Sequence, residues 1–266
     1  MRCTHYQWIQ IDGPGNIGLN KLKIKRVVNP KRLWRAEGIA ALARHVWTRF
    51  LCRMHYAFWD RKFEALEKVA TRGTVHKNDL SPVNLTNAHL SYEYGASPRL
   101  VISWILSAID VDESHYTFVD VGSGRGRILL AAAERPFKSI HGIEFCRLLQ
   151  TQSKQNLDEY PKHKLVCQDV RSICCDVLEY TPPNTDIILY FYNPFEAELL
   201  DNVVRNFLDM AQEMERNIIV IYYNAVHHQT LIRDTRLKPK SLPNNLWLKL
   251  KLLSPHPVQI YDGVAG

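Results

Sequence analysis

Several features that would suggest other classes of protein are missing from this sequence of 266 residues. It has no charge-free apolar stretch of about 18 residues, which argues against a transmembrane helix. The opening residues, 1–8, lack the apolar core of a signal peptide. The six cysteines include no C-x-x-C pair, so a zinc site has no support. We therefore expect reduced thiols in a cytoplasmic protein.

Positive charge is concentrated near the start of the chain. Residues 1–59 carry 11 lysines and arginines and two acids, a net charge of +9, whereas residues 60–266 carry −2. We expect a basic, partly helical extension over residues 1–90 and a catalytic domain over 91–266. A basic arm can meet nucleic acid, an anionic membrane or an acidic partner, or it can be a solvated helix face.

Residues 31–69 show the period of an amphipathic helix, with an apolar residue at every third or fourth position. Such a basic helix can lie on a membrane, or it can dock its apolar stripe on its own domain, which we expect here. The stripe consists of Ile39, Leu42, Ala43, Val46, Trp47, Phe50, Leu51, Met54 and Phe58.

From residue 116 the sequence alternates strand and helix patterns, which predicts a doubly wound, mostly parallel sheet with helices on both faces. The predicted helices are 125–135, 146–160 and 196–215. The predicted strands are 116–121, 139–145, 171–175, 186–192 and 217–223, followed by a terminal hairpin of 246–253 and 258–261.

A glycine-rich turn follows the first of these strands, in the segment 118–127 with the sequence FVDVGSGRGR. Gly122, Gly124 and Gly126 are spaced G-x-G-x-G, whereas a dinucleotide site has G-x-G-x-x-G. Asp120 stands two residues before the first glycine, where it would repel a pyrophosphate and suit a ligand with an ammonium group. The layout of strand, glycine turn and helix predicts a nucleotide-like cofactor.

Ligands of open α/β sheets lie beyond the carboxyl ends of the strands, so the residue that ends each strand matters. Glu144 ends the second strand and can accept hydrogen bonds from both ribose hydroxyls of an adenosine. Asp176 ends the third strand and can accept one from the adenine amino group, a role for which Asp169 is the rival.

The fourth and fifth strands end in amide and aromatic residues that we expect to face the substrate. Tyr192 and Asn193 open the sequence Y-N-P-F, in which the asparagine can position a methyl acceptor. Asn224 and His227 follow the fifth strand, where a histidine can act as a general base.

About half of the chain, from Tyr94 to His228, resembles bacterial class I S-adenosylmethionine (SAM)-dependent methyltransferases. The resemblance implies a seven-stranded sheet whose last strand is antiparallel. It implies Asp120, the glycine turn and Glu144 as SAM contacts, with Asp176 at the adenine. The matching segments are YGASP (94–98), FVDVGSGRGR (118–127), AERPF (133–137), GIEF (142–145) and LYFYNPF (189–195).

We therefore predict transfer of a methyl group from SAM to an unidentified acceptor, with nitrogen as the methylated atom. Asn193 and Tyr192 would position the acceptor, and Tyr94 would close over the methionine end of SAM. The predicted cofactor contacts are Asp120, Gly122, Ser123, Gly124, Gly126, Glu144, Asp176 and Asn193, and no metal ligand is predicted.

Three other functions stay open at this point. The chain is also similar to the non-SET protein lysine methyltransferases, in which case the basic arm would anchor on nucleic acid. A SAM-binding fold can serve as a non-catalytic binding module, although such a module has no need of both Asp120 and Glu144. An NAD(P)-dependent oxidoreductase is disfavoured by the glycine spacing and by Asp120.

Overall fold

The architecture is taken from a computed structural model of the chain. Two helices precede the main sheet, and five helices lie between or beside its strands. The described residues are 7–8, 25–26, 47, 50–52, 54–75, 94–95 and 97–263. The helices are α1 (54–67), α2 (Arg99–Leu106), α3 (Arg127–Ala133), α4 (Arg147–Glu159), α5 (Ala197–Glu213), α6 (His228–Leu231) and α7 (Asn244–Leu253).

Seven strands form one sheet in the order β6-β7-β5-β4-β1-β2-β3. The first five strands are parallel, and β7 runs antiparallel to both of its neighbours. The strands are β1 (Tyr116–Val121), β2 (Ser139–Glu144), β3 (Val170–Cys174), β4 (Asp186–Tyr192), β5 (Ile218–Tyr223), β6 (Leu237–Pro239) and β7 (Val258–Gly263). The predicted doubly wound, mostly parallel sheet is therefore confirmed, including its antiparallel last strand.

Side chains of the central strands alternate between two apolar layers, as the pleat of a strand requires. Phe118 and Tyr190 pack with α2, α3 and α7 on one face of the sheet. Val119 and Leu189 pack with α5 on the other face. Burial on both faces explains why these strands read as continuous apolar runs in the sequence.

The prediction of a terminal hairpin is wrong in its first strand. Residues 244–253 form the helix α7, and the edge strand is Leu237–Pro239. Alternating leucines suggested a strand, but Leu246 and Leu250 are buried whereas Leu248 and Leu252 are exposed. The buried pair is spaced i, i+4, so helical burial overrode the local alternation.

The helix α1 packs on the domain with the face opposite to the one expected. The stripe residues Trp47, Phe50, Leu51, Met54 and Phe58 are all exposed, which corrects the expectation that the stripe docks on the domain. The other four stripe residues, 39, 42, 43 and 46, lie outside the described residues. Cys52 and Tyr56 are buried instead, together with Glu64 and Glu67.

Arg127, the first residue of α3, explains why the acidic face of α1 turns inward. Its guanidinium donates to Asp60 at 2.6 Å, to Glu64 at 3.2 Å and to the Thr71 hydroxyl at 2.8 Å. Only 3% of the arginine side chain is exposed. A buried cation needs such partners, so the acids of α1 serve as the counter-ions of Arg127.

The segment after α1 is held against the glycine turn by hydrogen bonds between side chains and backbone groups. Asn156 of α4 accepts from the N–H of Ala70 at 2.8 Å and donates to the carbonyl of Arg125 at 2.9 Å. Arg125 in turn donates to the carbonyl of Arg72.

Within the described part of the chain, no helix is long and apolar enough to cross a membrane.

We expect Arg127→Met to lower the free energy of unfolding by about 3–5 kcal/mol, because it leaves the half-buried Asp60 without its cation and the buried Glu64 with Arg72 alone. Urea unfolding at neutral pH measures this loss. The matched control is Arg205→Met, because Arg205 pairs with Asp201 at 3.0 Å on the exposed side of α5. The control should change stability by less than about 1 kcal/mol, and equal losses in the two variants would refute a structural role for the buried arginine.

Candidate active site

The glycine turn between β1 and α3 adopts backbone conformations that favour glycine. Gly122, Gly124 and Gly126 have φ angles of +77°, +53° and +79°. A Cβ on Gly126 would lie 2.4 Å from the Ser153 hydroxyl, and one on Gly122 would lie 3.1 Å from the Cβ of Pro194. Both the turn and its close neighbours therefore require these glycines.

Glu144 at the end of β2 is bound to the glycine turn. Its carboxylate accepts from the N–H of Gly124 at 2.8 Å and from that of Cys146 at 2.9 Å. The side chain is only 3% exposed, and this burial raises its pKa to about 7, although the backbone N–H groups oppose the shift. Glu144 thus lies beside the turn, as the sequence predicted.

Asp120 near the end of β1 is a buried carboxylate without a hydrogen bond from any described residue. It is 3% exposed and pairs across the sheet with Gly142 of β2 and Tyr190 of β4. Burial, and then the negative charge of Glu144, raise its pKa well above the ordinary value. A buried acid with no donor is costly by itself, so this position suits a cationic ligand.

The two candidates for the adenine contact lie at opposite ends of β3. Asp176 follows the strand at its carboxyl end, is buried, and accepts from the N–H of Leu178 at 3.0 Å. Asp169 precedes the strand and forms a surface ion pair with Arg171 at 2.7 Å. Because ligands bind at the carboxyl ends, the geometry favours Asp176 over Asp169.

Asn193 directly follows β4 and is joined to β5 by a short chain of hydrogen bonds. Its backbone has a φ of +40°, and its side-chain oxygen accepts from the hydroxyl of Tyr222 at 2.5 Å. That hydroxyl accepts from the N–H of His227 at 3.3 Å. Tyr222 therefore orients the amide and leaves one oxygen lone pair of Asn193 for a ligand.

Asn224 follows β5 just as Asn193 follows β4, since Tyr192 and Tyr223 are paired at the ends of these strands. Its side-chain oxygen is buried and has no hydrogen-bond partner among the described residues. His227 lies nearby, with its Nε2 atom 3.8 Å from Glu196. Two amide oxygens at neighbouring strand ends can therefore receive N–H donors from a ligand.

Three aromatic rings meet at the same edge of the sheet, and the sequence analysis identified only one of them. The ring of Tyr192 lies 4.9 Å from that of Tyr223 and 5.7 Å from that of His256. His256 precedes β7, whose first residue, Val258, pairs with Tyr223. Its position therefore depends on the antiparallel pairing of β7, and no local pattern identifies it.

The turn before α2 also reaches this edge, through Ser97. The Ser97 hydroxyl lies 3.0 Å from that of Tyr190, next to Asp120 in β1. Tyr94 forms a two-residue strand pair with Val75, and its side chain lies outside the described residues. Its predicted role as a lid over the methionine end stays a prediction.

No group of three or more potential metal-binding residues occurs among the residues that the structure describes. The described residues at the carboxyl edge include three buried acids, Asp120, Glu144 and Asp176, together with glycines, amides and aromatic rings. This set can hold a cation beside a sugar and a flat group.

Comparisons with known proteins are consistent with this architecture. No protein-family model matches the chain, and no curated protein sequence matches it. Solved structures with a similar fold include a predicted N6-adenine-specific DNA methylase from Listeria monocytogenes, which is 11% identical with a TM-score of 0.44. The alignment covers 64% of this chain and 52% of that one, so this chain spans about half of its length.

Two further solved structures are similar to this chain. Magnesium protoporphyrin IX methyltransferase from Synechocystis, solved with bound SAM, is 10% identical with a TM-score of 0.41, over 63% of this chain and 76% of that one. Precorrin 8w decarboxylase from Methanobacterium thermoautotrophicum is 16% identical with a TM-score of 0.44, over 71% and 99%. The strand order and the antiparallel β7 give the chain a doubly wound, Rossmann-like fold. At these scores the neighbours carry no argument about its reaction, which has to come from the site.

The buried acids predict how stability depends on pH. An acid whose pKa is raised in the folded state stabilises the fold only while it is protonated, so stability falls as pH rises from about 4 through the folded pKa. Asp120→Asn removes one such group. We expect the ligand-free variant to exceed the wild type in stability by about 1–3 kcal/mol at pH 8, and by less at pH 5.

Urea unfolding of both proteins from pH 5 to pH 8 measures the difference. Asp158→Asn is the matched control, because Asp158 is exposed on α4. A stability difference between wild type and Asp120→Asn that stays constant across this pH range would show that Asp120 does not carry a buried charge.

Proposed function

We propose that this protein is a SAM-dependent methyltransferase. The observation that carries the proposal is the buried, unbonded carboxylate of Asp120 beside Glu144 and a glycine turn. SAM carries an ammonium and a sulfonium group, so it supplies positive charge that balances the negative charge of these two acids. The residues present therefore fit the cofactor.

An NAD(P)-dependent oxidoreductase fits the same turn poorly. A dinucleotide site offers free backbone N–H groups to the pyrophosphate, but the N–H of Gly124 already donates to Glu144. Asp120 would add a second negative charge next to the phosphates. A non-catalytic module that no longer binds a cofactor is also disfavoured, because a bound ligand offsets the cost of burying two acids.

In this proposal each end of SAM has its own partner. Asp120 faces the ammonium group, Glu144 accepts from the ribose hydroxyls, and Asp176 accepts from the adenine amino group. Gly122, Ser123, Gly124 and Gly126 allow the cofactor to approach the backbone closely. When bound, SAM would supply a methyl group on its sulfonium, which an acceptor atom attacks in line.

The methyl acceptor is a nitrogen, carried by a protein or a small molecule. Asn193 and Asn224 offer amide oxygens that accept N–H groups, and Tyr192 offers a ring against which a flat group can stack. Positioning of this kind supplies most of the catalysis in a displacement reaction, because little proton transfer is needed. His227 can take up the proton that leaves the nitrogen.

The enzyme works in the cytoplasm, with residues 1–90 as an extension of a methyltransferase domain over 91–266. The net charge of +9 over residues 1–59 of this extension favours an anionic partner, such as nucleic acid. None of the contacts described above favours the protein lysine methyltransferases over other nitrogen methyltransferases.

Isothermal titration with S-adenosylhomocysteine tests the cofactor, with NADH as the parallel titrant. We expect saturable binding of S-adenosylhomocysteine and none of NADH. Glu144→Ala should weaken binding at least about tenfold, because a hydrogen bond to a charged group contributes about 1.5–3 kcal/mol. The matched control is Asp169→Ala, which removes an acid at the opposite end of a neighbouring strand and should leave the affinity unchanged.

Binding of NADH instead would overturn the methyltransferase proposal. An unchanged affinity in Glu144→Ala would remove this residue from the cofactor site. Thermal unfolding of each variant is measured alongside, so that a loss of affinity is separated from a loss of fold.

Asn193→Ala tests the acceptor side of the site. With labelled SAM and an acceptor found by labelling of a cell extract, we expect kcat/KM to fall about tenfold or more, with a smaller loss of affinity for S-adenosylhomocysteine, because Asn193 is also a predicted cofactor contact. Asn217→Ala is the matched control, since this asparagine bonds Asp186 at the opposite edge of the sheet. Full turnover in Asn193→Ala would contradict the positioning role.

A further inference from the structure

The outward face of α1 carries a continuous apolar stripe. Residues 47 and 50–52 are helical like 54–67, and the stripe residues recur every three or four positions on one side. Trp47, Phe50, Leu51, Met54 and Phe58 are between 48% and 61% exposed. Soluble proteins seldom leave a contiguous apolar surface open to water, so this face is expected to have a partner.

Charges on α1 are segregated between its two faces. Within residues 54–67 the three acids are Asp60, Glu64 and Glu67, and each pairs with a cation of the domain side. The exposed cations Arg61 and Lys62 flank the apolar stripe. The outward face over 54–67 is therefore apolar and positively charged, with every acid turned inward.

The end of α7 lies against the inward side of α1. The Tyr56 hydroxyl of α1 donates to the carbonyl of Leu253 at 2.7 Å, so the last turn of α7 lies beside α1. Leu252 and Leu253 are exposed there. The sequence of α7 also brings Lys249 next to the leucines, with its ammonium group 4.2 Å from the ring of Trp104.

We propose that this outward face of α1 binds the surface of an anionic lipid bilayer. An interfacial helix has large apolar side chains on one face, including Trp and Phe, and cations beside them, which is the composition found here. The lipid surface that a cytoplasmic protein meets is anionic, and residues 1–59 carry a net charge of +9. Apolar burial and charge attraction thus act in the same direction.

Nucleic acid is a poorer match for this face. Its binding depends on many lysines and arginines that contact phosphates, and Leu51, Met54 and Phe58 would gain nothing from a phosphate backbone. A bilayer accepts the aliphatic side chains below its headgroups and the cations at their level. The chemistry of the stripe therefore favours lipid among the anionic partners.

Contact with a bilayer would place the membrane close to the glycine turn. Arg127 holds α1 and follows Gly126 directly in the chain, and Arg125 of the turn donates to the segment that follows α1. The helix that touches lipid is thus fixed to the cofactor edge of the sheet. The proposal itself does not depend on methyl transfer.

Co-sedimentation of the full chain with vesicles tests the proposal. We expect binding to vesicles of phosphatidylcholine mixed with phosphatidylglycerol, at least about tenfold tighter than to phosphatidylcholine alone, and weaker at high salt. Met54→Ser combined with Phe58→Ser should weaken binding at least about tenfold. The matched control combines Val166→Ser and Ile232→Ser, two exposed apolar residues elsewhere, and should change it less than about twofold.

A second variant, Arg61→Gln combined with Lys62→Gln, isolates the charge. It should reduce the preference for phosphatidylglycerol about tenfold and keep the fold, since both side chains are exposed. S-adenosylhomocysteine titration of every variant separates the two proposals: absent vesicle binding with intact cofactor binding overturns the bilayer proposal alone.

Three other outcomes would overturn the proposal. Equal losses in the stripe variant and its control would show that the stripe is not the contact. A dimer that Met54→Ser and Phe58→Ser dissolve, without vesicle binding, would make a second copy of the chain the occupant. Duplex DNA bound in preference to vesicles, with the same loss in the stripe variant, would make nucleic acid the partner.

Discussion

The burial of two carboxylates side by side is the constraint on which the rest of the site depends. Asp120 and Glu144 end neighbouring parallel strands, and each is almost fully buried. Backbone N–H groups of the glycine turn and of the chain after β2 bond Glu144, whereas no described residue bonds Asp120. A fold keeps such an arrangement when a ligand of opposite charge offsets its cost, which is why the site argues for a cationic cofactor.

A second buried charge fixes α1 to this site. Arg127 opens the helix that follows the glycine turn, and its partners come from α1 and the segment just after it. The acids of α1 therefore act as counter-ions to Arg127, and α1 is held close to the glycine turn. The same arrangement turns the apolar side of α1 outward, where a partner can reach it.

The fold does not identify the reaction, because one fold can support several chemistries. The residues at the strand ends carry the chemical information instead. Asn193 after β4 is oriented by the Tyr222 hydroxyl, and the side-chain oxygen of Asn224 after β5 has no hydrogen-bond partner among the described residues. Three aromatic rings lie at the same edge of the sheet.

The parallel sheet and the acids and glycines at its carboxyl edge could be predicted from the sequence. Continuous apolar runs predict buried parallel strands, and Asp120, the glycines and Glu144 stand at or near the ends of two such runs, so these signals are local. Only the tertiary structure decided which face of α1 is buried, that residues 244–253 form a helix, and that His256 joins Tyr192. Each of these depends on contacts distant in sequence. Arg127 selects the buried face of α1, and the core that covers Leu246 and Leu250 favours a helix over 244–253. The antiparallel pairing of β7 with β5 brings His256 to Tyr192.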